Sequence, residues 1–201
     1  MKNFKIYFMM IAMVASVAFL ASCGDDDAPD EENVVEVITN VTLIFTPEGG
    51  GTPVTATAVD PDGAGAQELM VQGAINLAAN TTYTLTYDIQ NALDPNDIED
   101  IGEEIAEEDD EHQLFYEFTM DAFSSPMGNG NIDTASDAVN YNDTDGNGCN
   151  LGLNTTWTTA DAQSGGSFRV QLQHQPDAKT CTTGATVGDT DFNLTFTLNI
   201  Q

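Results

Sequence analysis

Basic residues are scarce in this chain of 201 residues. Lysine and arginine together number 4, against 33 aspartate and glutamate residues, and the formal net charge is −29. Such a chain repels phosphate groups, which argues against nucleic-acid binding and against adsorption to anionic headgroups. The charge favours cations, cationic partners, or simple solubility in a salty medium that screens self-repulsion.

Residues and motifs for catalysis are also scarce. The 2 histidines exclude a three-histidine metal site. The sequence has no His-Glu-x-x-His, no Gly-x-Ser-x-Gly and no phosphate-binding glycine loop. Its many carboxylates do not single out a glycosidase pair. We therefore expect a protein that is not an enzyme.

The N-terminal residues match a bacterial lipoprotein signal. Lys2 and Lys5 precede an apolar stretch that is too short for an ordinary spanning helix, and the lipobox Leu-Ala-Ser-Cys ends at Cys23. We predict a signal peptide over 1–22 and lipidation of Cys23. Each buried methylene of the acyl chains contributes roughly 0.8 kcal/mol, so several chains anchor a protein stably. An uncleaved membrane helix or a plain secretory signal is the alternative.

An acidic segment without apolar pattern follows the lipobox. Residues 23–33 should form a disordered tether, because this composition cannot bury apolar surface. A cysteine followed by an acidic run resembles the export signal of surface lipoproteins of the Bacteroidetes phylum. The resemblance implies lipid anchoring in the outer membrane with the domain at the cell surface. The periplasmic face of the membrane is the alternative.

A period of two in hydrophobicity predicts one β domain over 34–201. The pattern is clearest near the C-terminus, where five apolar residues from Phe192 to Ile200 alternate with polar ones. Further strand candidates lie at 37–45, 54–58, 70–77, 83–89, 114–120, 138–141, 153–159 and 168–172. We predict an all-β fold, an antiparallel β-sandwich (immunoglobulin-like or similar) of about eight strands.

One short acidic helix interrupts the strands. Asp94 suits the N-cap and Pro95 the first helical position, while Leu93 and Ile98 have the spacing of a hydrophobic staple. Isoleucines then lie along one face and carboxylates along the other. The acidic face is either solvated, a low-affinity calcium surface, or a docking site for a basic partner.

Two histidines form the most pointed candidate site. His112 begins one strand and His174 ends another, and each is evenly spaced from apolar residues that face the core. If those strands are antiparallel, both imidazoles reach the same end of the sandwich. With Asp110, Glu111 or Asp177 they would form a site for zinc or another divalent ion. Alternatively, each is an unrelated core-edge histidine bonded to backbone.

A weaker cation candidate lies in an Asp-rich loop. Asp143, Asp145 and Asn147 offer oxygen ligands at alternate positions, as in the first half of a calcium-binding EF-hand loop. The twelfth position, however, is Asn154 where a bidentate glutamate is needed. The alternative is a tight turn, which these residue types also build.

Cysteine usage agrees with an extracytoplasmic location. With Cys23 lipidated, Cys149 and Cys181 remain as a pair that could form a disulfide. Two free thiols or soft metal ligands are the alternative.

Several segments resemble a family of short Bacteroidetes lipoproteins named "type 1 periplasmic binding fold superfamily protein". The matching segments are 45–57, 77–83, 110–113, 155–159 and 169–176. The family name implies two α/β lobes, but this chain is too short and is patterned for antiparallel strands. We therefore transfer the family and not the named fold. Both histidines lie in matching segments.

The resemblance implies an accessory lipoprotein of outer-membrane TonB-dependent transporters. We expect a lipid-anchored envelope binding protein that captures a ligand such as a divalent metal, with zinc or calcium as candidate ions, or docks with such a transporter. The alternative is a structural or adhesive surface lipoprotein without a small-molecule ligand.

Overall fold

The computed structural model describes residues 36–63 and 68–201, so the predicted signal peptide, Cys23 and the acidic tether lie outside the described residues. Within these ranges the chain forms eleven strands and one helix. In chain order they are β1 (Asn40–Pro47), β2 (Val54–Val59), β3 (Met70–Gln72), β4 (Ala74–Leu77), β5 (Thr82–Asn91), β6 (Glu99–Asp100), α1 (Ile101–Glu107), β7 (His112–Phe118), β8 (Phe123–Ser125), β9 (Asn154–Thr159), β10 (Gln163–His174) and β11 (Asp189–Ile200).

The strands form two sheets. The larger has seven strands in the order β3-β2-β1-β5-β9-β8, with β6 paired to β5, and the smaller has four in the order β4-β11-β10-β7. Neighbouring strands are antiparallel except β4 and β11, which are parallel. The predicted all-β, largely antiparallel sandwich is confirmed.

The core lies between the two sheets and is rich in aromatic residues. Phe45 of the larger sheet contacts Phe168 of the smaller with ring centroids 5.8 Å apart, and Trp157 lies 5.1 Å from Phe168 and 5.4 Å from Phe118. All four side chains are buried. The alternating pattern therefore supplies one apolar face from each sheet.

The strongest strand predictions are confirmed, and the weaker ones need correction. The predicted hairpin is the antiparallel pair of β1 and β2. The candidate at 70–77 is two strands separated by Gly73, which has a φ of +78°. Residues 138–141 form no strand and contribute only an isolated bridge from Tyr141 to Thr155. The short strands β6 and β8 were not predicted.

The helix exists, but its predicted start is wrong. Asp94 begins a turn, in which the Asp97 amide donates to the Asp94 carbonyl. Glu99 and Asp100 pair with the end of β5, so the chain stays extended until Ile101. Asp100 is the N-cap, and its carboxylate accepts a hydrogen bond from the Glu103 amide at 3.2 Å. The proposed staple residues Leu93 and Ile98 are both exposed.

Helix α1 is anchored by two buried isoleucines, Ile101 and Ile105. After it the chain turns directly into β7, so the end of the helix lies beside the start of that strand. Among residues 36–63 and 68–201, no helix is long and apolar enough to cross a bilayer.

Candidate metal centre

The two histidines lie side by side at one end of the smaller sheet. His112 at the start of β7 and His174 at the end of β10 are direct partners in the antiparallel register. Their rings stack with centroids 4.4 Å apart and an angle of 8° between the planes. Cross-strand partners share a face, so the same pairing that aligns Leu114 with Leu172 in the core brings the imidazoles together.

Close backbone packing next to His174 helps to fix this arrangement. Gly188, just before β11, has a φ of +80°, and a Cβ there would lie 2.0 Å from the His174 carbonyl oxygen. Only glycine fits so close an approach. The start of β11 is therefore held against the end of β10.

An irregularity in β11 brings a carboxylate to His112. Leu172 pairs with Phe192, but Gln173 pairs with Thr190, so Asp191 is an extra residue in a β-bulge. Bulges redirect side chains. Asp191 Oδ2 lies 3.8 Å from His112 Nε2, and its side chain is only 3% exposed.

Glu36, which precedes β1, supplies a second carboxylate to the same nitrogen. Its Oε1 lies 3.5 Å from His112 Nε2, and its side chain is 11% exposed. Ligand atoms of Glu36, His112 and Asp191 all lie within 4.8 Å of one another. We call these three residues the inner cluster.

The inner cluster contains buried polar atoms without hydrogen-bond partners. Among the described residues, the buried polar atoms without a hydrogen-bond partner include Glu36 Oε2, His112 Nε2 and Asp191 Oδ2. Unpaired buried polar atoms are rare because each forfeits its hydration. Two of them, His112 Nε2 and Asp191 Oδ2, lie 3.8 Å apart, so a cation between them would interact with both.

The other ring nitrogen of His112 indicates the tautomer. Nδ1 lies 3.3 Å from the carbonyl oxygen of Glu108. A carbonyl can only accept, so Nδ1 carries the proton and Nε2 presents its lone pair to the two carboxylates. A lone pair facing anionic oxygens is unfavourable unless a proton or a metal cation lies between them. Metal-binding histidines are commonly oriented by such a bond from the second nitrogen.

The pKa shifts in the inner cluster also favour a bound cation. Burial, and then the charge of Asp191, raise the pKa of Glu36 to about 8. Burial raises the pKa of Asp191 to about 6. Burial, and then the neighbouring His174, lower the pKa of His112 to about 4. Burial thus favours the neutral, metal-binding form of His112, whereas the charged, metal-binding forms of Glu36 and Asp191 need a cation to offset their burial.

His112 also belongs to a second group of potential ligands. Glu108 Oε2 lies 3.8 Å from His112 Nδ1, and the Glu108 side chain is 54% exposed. Ligand atoms of Glu108, His112 and His174 lie within 4.8 Å of one another. Glu111 Oε2 lies 3.1 Å from His174 Nε2 and orients that ring.

Three of the five ligands predicted from the sequence meet here, namely His112, His174 and Glu111. Glu111 contacts His174 but belongs to neither ligand group, and neither do the exposed Asp110 and Asp177. Sequence reasoning missed Glu36, Glu108 and Asp191. Glu108 lies four residues before His112, a helical spacing that could have indicated it. The other two depend on a bulge and on chain packing that the hydrophobic pattern does not encode.

The Asp-rich loop is organised by its own backbone. Asp145 accepts hydrogen bonds from the amides of Asn147 and Cys149, both at 2.8 Å. Asp143 accepts from the amides of Gly152 and Asn154, both at 2.9 Å. This geometry favours the turn interpretation. A calcium site at Asp143, Asp145 and Asn147 stays a prediction.

A buried lysine and a disulfide connect this loop to the candidate metal centre. Lys179 Nζ lies 3.2 Å from Asp145 Oδ2 with both side chains buried, and it also donates to the carbonyl of Asp109. Cys149 and Cys181 are disulfide-bonded. Burial raises the pKa of Asp145, but hydrogen bonds from the Cys149 amide and Lys179 outweigh it and lower the pKa below its ordinary value.

No protein-family profile, no curated protein and no solved structure matches this chain.

Proposed function

We propose that this domain is the binding module of a lipid-anchored envelope protein and that its ligand is a divalent transition-metal ion. The ion would be held by Glu36, His112 and Asp191. The observation that carries the proposal is a cluster of ligand atoms from Glu36, His112 and Asp191 within 4.8 Å of one another, in which His112 Nε2 and Asp191 Oδ2 are buried without a hydrogen-bond partner.

The distances suit a small ion. Bonds from zinc to nitrogen or oxygen are about 2.0–2.2 Å, so two ligand atoms on a tetrahedral ion lie roughly 3.4 Å apart. The separations of 3.5 Å and 3.8 Å from His112 Nε2 to the two carboxylates are close to that value. Small shifts of the side chains would complete the geometry.

The chemistry of the donors narrows the choice of metal. One imidazole and two carboxylates suit zinc, manganese, iron(II) or cobalt(II), and they lack the thiolate or thioether donors that select copper(I). Calcium takes six to eight oxygen ligands, and this buried cluster offers too few. Three protein ligands also leave a coordination position open for water or a further ligand.

The cellular setting of this function comes from the sequence. The lipobox ending at Cys23 and the acidic tether favour a lipid anchor in the outer membrane with the domain facing outward. The resemblance to transporter-associated lipoproteins favours a TonB-dependent transporter as the partner that receives or supplies the ion. The acidic surface attracts cations to the domain.

Isothermal titration of the metal-free, full-length protein in detergent with Zn²⁺ tests the proposal. We expect one ion per chain for the wild type and loss of that binding in His112→Ala, because the variant lacks the nitrogen at the centre of the cluster. The variant Glu48→Gln, which changes an exposed carboxylate in the turn after β1, should bind as the wild type does. A wild-type protein that binds no transition metal would contradict the proposal and favour a structural or adhesive role.

A further inference from the structure

His112 has ligand groups on both of its ring nitrogens. The inner cluster faces Nε2, while the carboxylate of Glu108 lies on the Nδ1 side, and a ring nitrogen of His174 lies within 4.8 Å of ligand atoms of Glu108 and His112. We call Glu108, His112 and His174 the outer cluster. The two clusters share one imidazole and differ in every other ligand.

We propose that His112 provides two alternative ion positions, and that a divalent ion arriving from solvent binds the outer cluster before it is held in the inner one. This inference rests on the proposed function, because it assigns a route to the ion of the same site.

The two clusters differ in their access to solvent. The side chains of His112 and Asp191 are 0% and 3% exposed, so the inner position is closed. The side chain of Glu108 is 54% exposed and its carboxylate lies 3.8 Å from Nδ1. Exposed carboxylates raise the local concentration of cations and speed their association. The outer cluster is therefore the side from which an ion first meets His112.

A neutral imidazole can serve only one position at a time. With the ion in the inner position, Nδ1 keeps its proton and donates to the Glu108 carbonyl. With the ion in the outer position, the proton lies on Nε2, next to Glu36 and Asp191. The ring carries one proton in both states, so the inference predicts one ion per chain and not two.

Electron paramagnetic resonance of bound Cu²⁺ distinguishes the positions, because the inner one contains one nitrogen and the outer one two. We expect coupling to one nitrogen in the full-length wild type in detergent. In the double variant Glu36→Gln/Asp191→Asn we expect coupling to two nitrogens, with affinity reduced more than about 100-fold. These changes remove buried unpaired charge, so the fold should persist, and circular dichroism melting of the metal-free variant checks this.

Stopped-flow mixing with Zn²⁺ and a fluorescent chelator tests the route. Glu108→Gln should slow association by roughly tenfold while the final stoichiometry stays at one ion. Glu107→Gln, which removes the neighbouring exposed carboxylate at the end of α1, is the matched control and should bind at the wild-type rate.

The possible failures separate the two proposals. If the wild type binds one ion but Glu108→Gln associates at the wild-type rate, or if the double variant shows no two-nitrogen signal, the outer position is overturned and the proposed function stands. If the wild type binds neither Zn²⁺ nor Cu²⁺, the proposed function itself is overturned.

Discussion

Lys179 and Arg169 are the only basic residues after Cys23, and the fold uses them in different ways. The Lys179 side chain is 1% exposed and pairs with the equally buried Asp145. The Arg169 side chain is 31% exposed and lies 3.1 Å from Glu117 on the outer surface of the smaller sheet. One cation is part of the interior and the other is part of the surface.

Replacing Lys179 should therefore destabilise the protein far more than replacing Arg169. Lys179→Met leaves the Asp145 charge buried without its partner, and we expect a loss of about 3 kcal/mol in the free energy of unfolding. Arg169→Met should cost less than about 1 kcal/mol, because exposed ion pairs contribute little. Urea denaturation measures both. Equal losses in the two variants would contradict a structural role for the buried pair.

At the scale of single residues, part of the candidate metal centre could be predicted from the sequence. His112 and His174 were identifiable because even spacing ties each to a core-facing strand. Asp191 was not identifiable. Because Phe192 faces the core, strict alternation places Asp191 on the solvent face, and only the bulge turns it inward. Glu36 follows a run of similar acidic residues, and nothing in its local pattern distinguishes it from them.

At the scale of elements, the helix shows how a strong local signal can be overridden. Asp94 and Pro95 match a helix start, yet residues 99–100 pair with β5 and delay the helix to Ile101. The energy of strand pairing and of burying Ile101 and Ile105 exceeds that of local capping, which amounts to about 1 kcal/mol. Local capping signals contain no information about pairing with a distant strand.

The position of the cap can be tested directly. Asp100→Ala should lower the free energy of unfolding by about 1 kcal/mol, because the Glu103 amide loses its acceptor. Asp100→Asn keeps an acceptor oxygen and should have a smaller effect. Asp94→Ala, at the cap expected from sequence, should change stability less than Asp100→Ala when both are compared in the same urea series. The reverse order would place the functional cap at Asp94.

At the scale of the whole molecule, the disulfide joins the segment between β8 and β9 to the segment between β10 and β11. The residues it joins are separated by 32 positions. In the chain-entropy model a closed loop of that size contributes about 3 to 4 kcal/mol. We expect Cys149→Ser/Cys181→Ser to lose up to this amount in chemical denaturation.

The same double variant should also bind Zn²⁺ more weakly, because Lys179, two residues before Cys181, holds the carbonyl of Asp109 beside the metal centre. Wild-type protein treated with a reductant should behave as the variant does. Unchanged stability in both samples would show that the bond does not constrain the unfolded chain.

The fold class was predictable as a whole because every central strand carries a clear period of two. The parallel pairing of β4 with β11 was not predictable. It joins segments more than a hundred residues apart, and the sequence of neither segment indicates it. Edge strands such as β8 could not be predicted either, because they are too short to show an alternating pattern.

That parallel pairing has a consequence for the order of folding. Strand β11 lies between β4 and β10, so β4 has no neighbour in its own sheet until β11 arrives. A chain that is made, or threaded through a membrane, from its N-terminus exposes β4 long before the last strand emerges. The smaller sheet can close only at the end of that process, and until then the candidate metal centre lacks Asp191. If the proposed site holds an ion, that ability would thus be acquired last, once the C-terminal strand is in place.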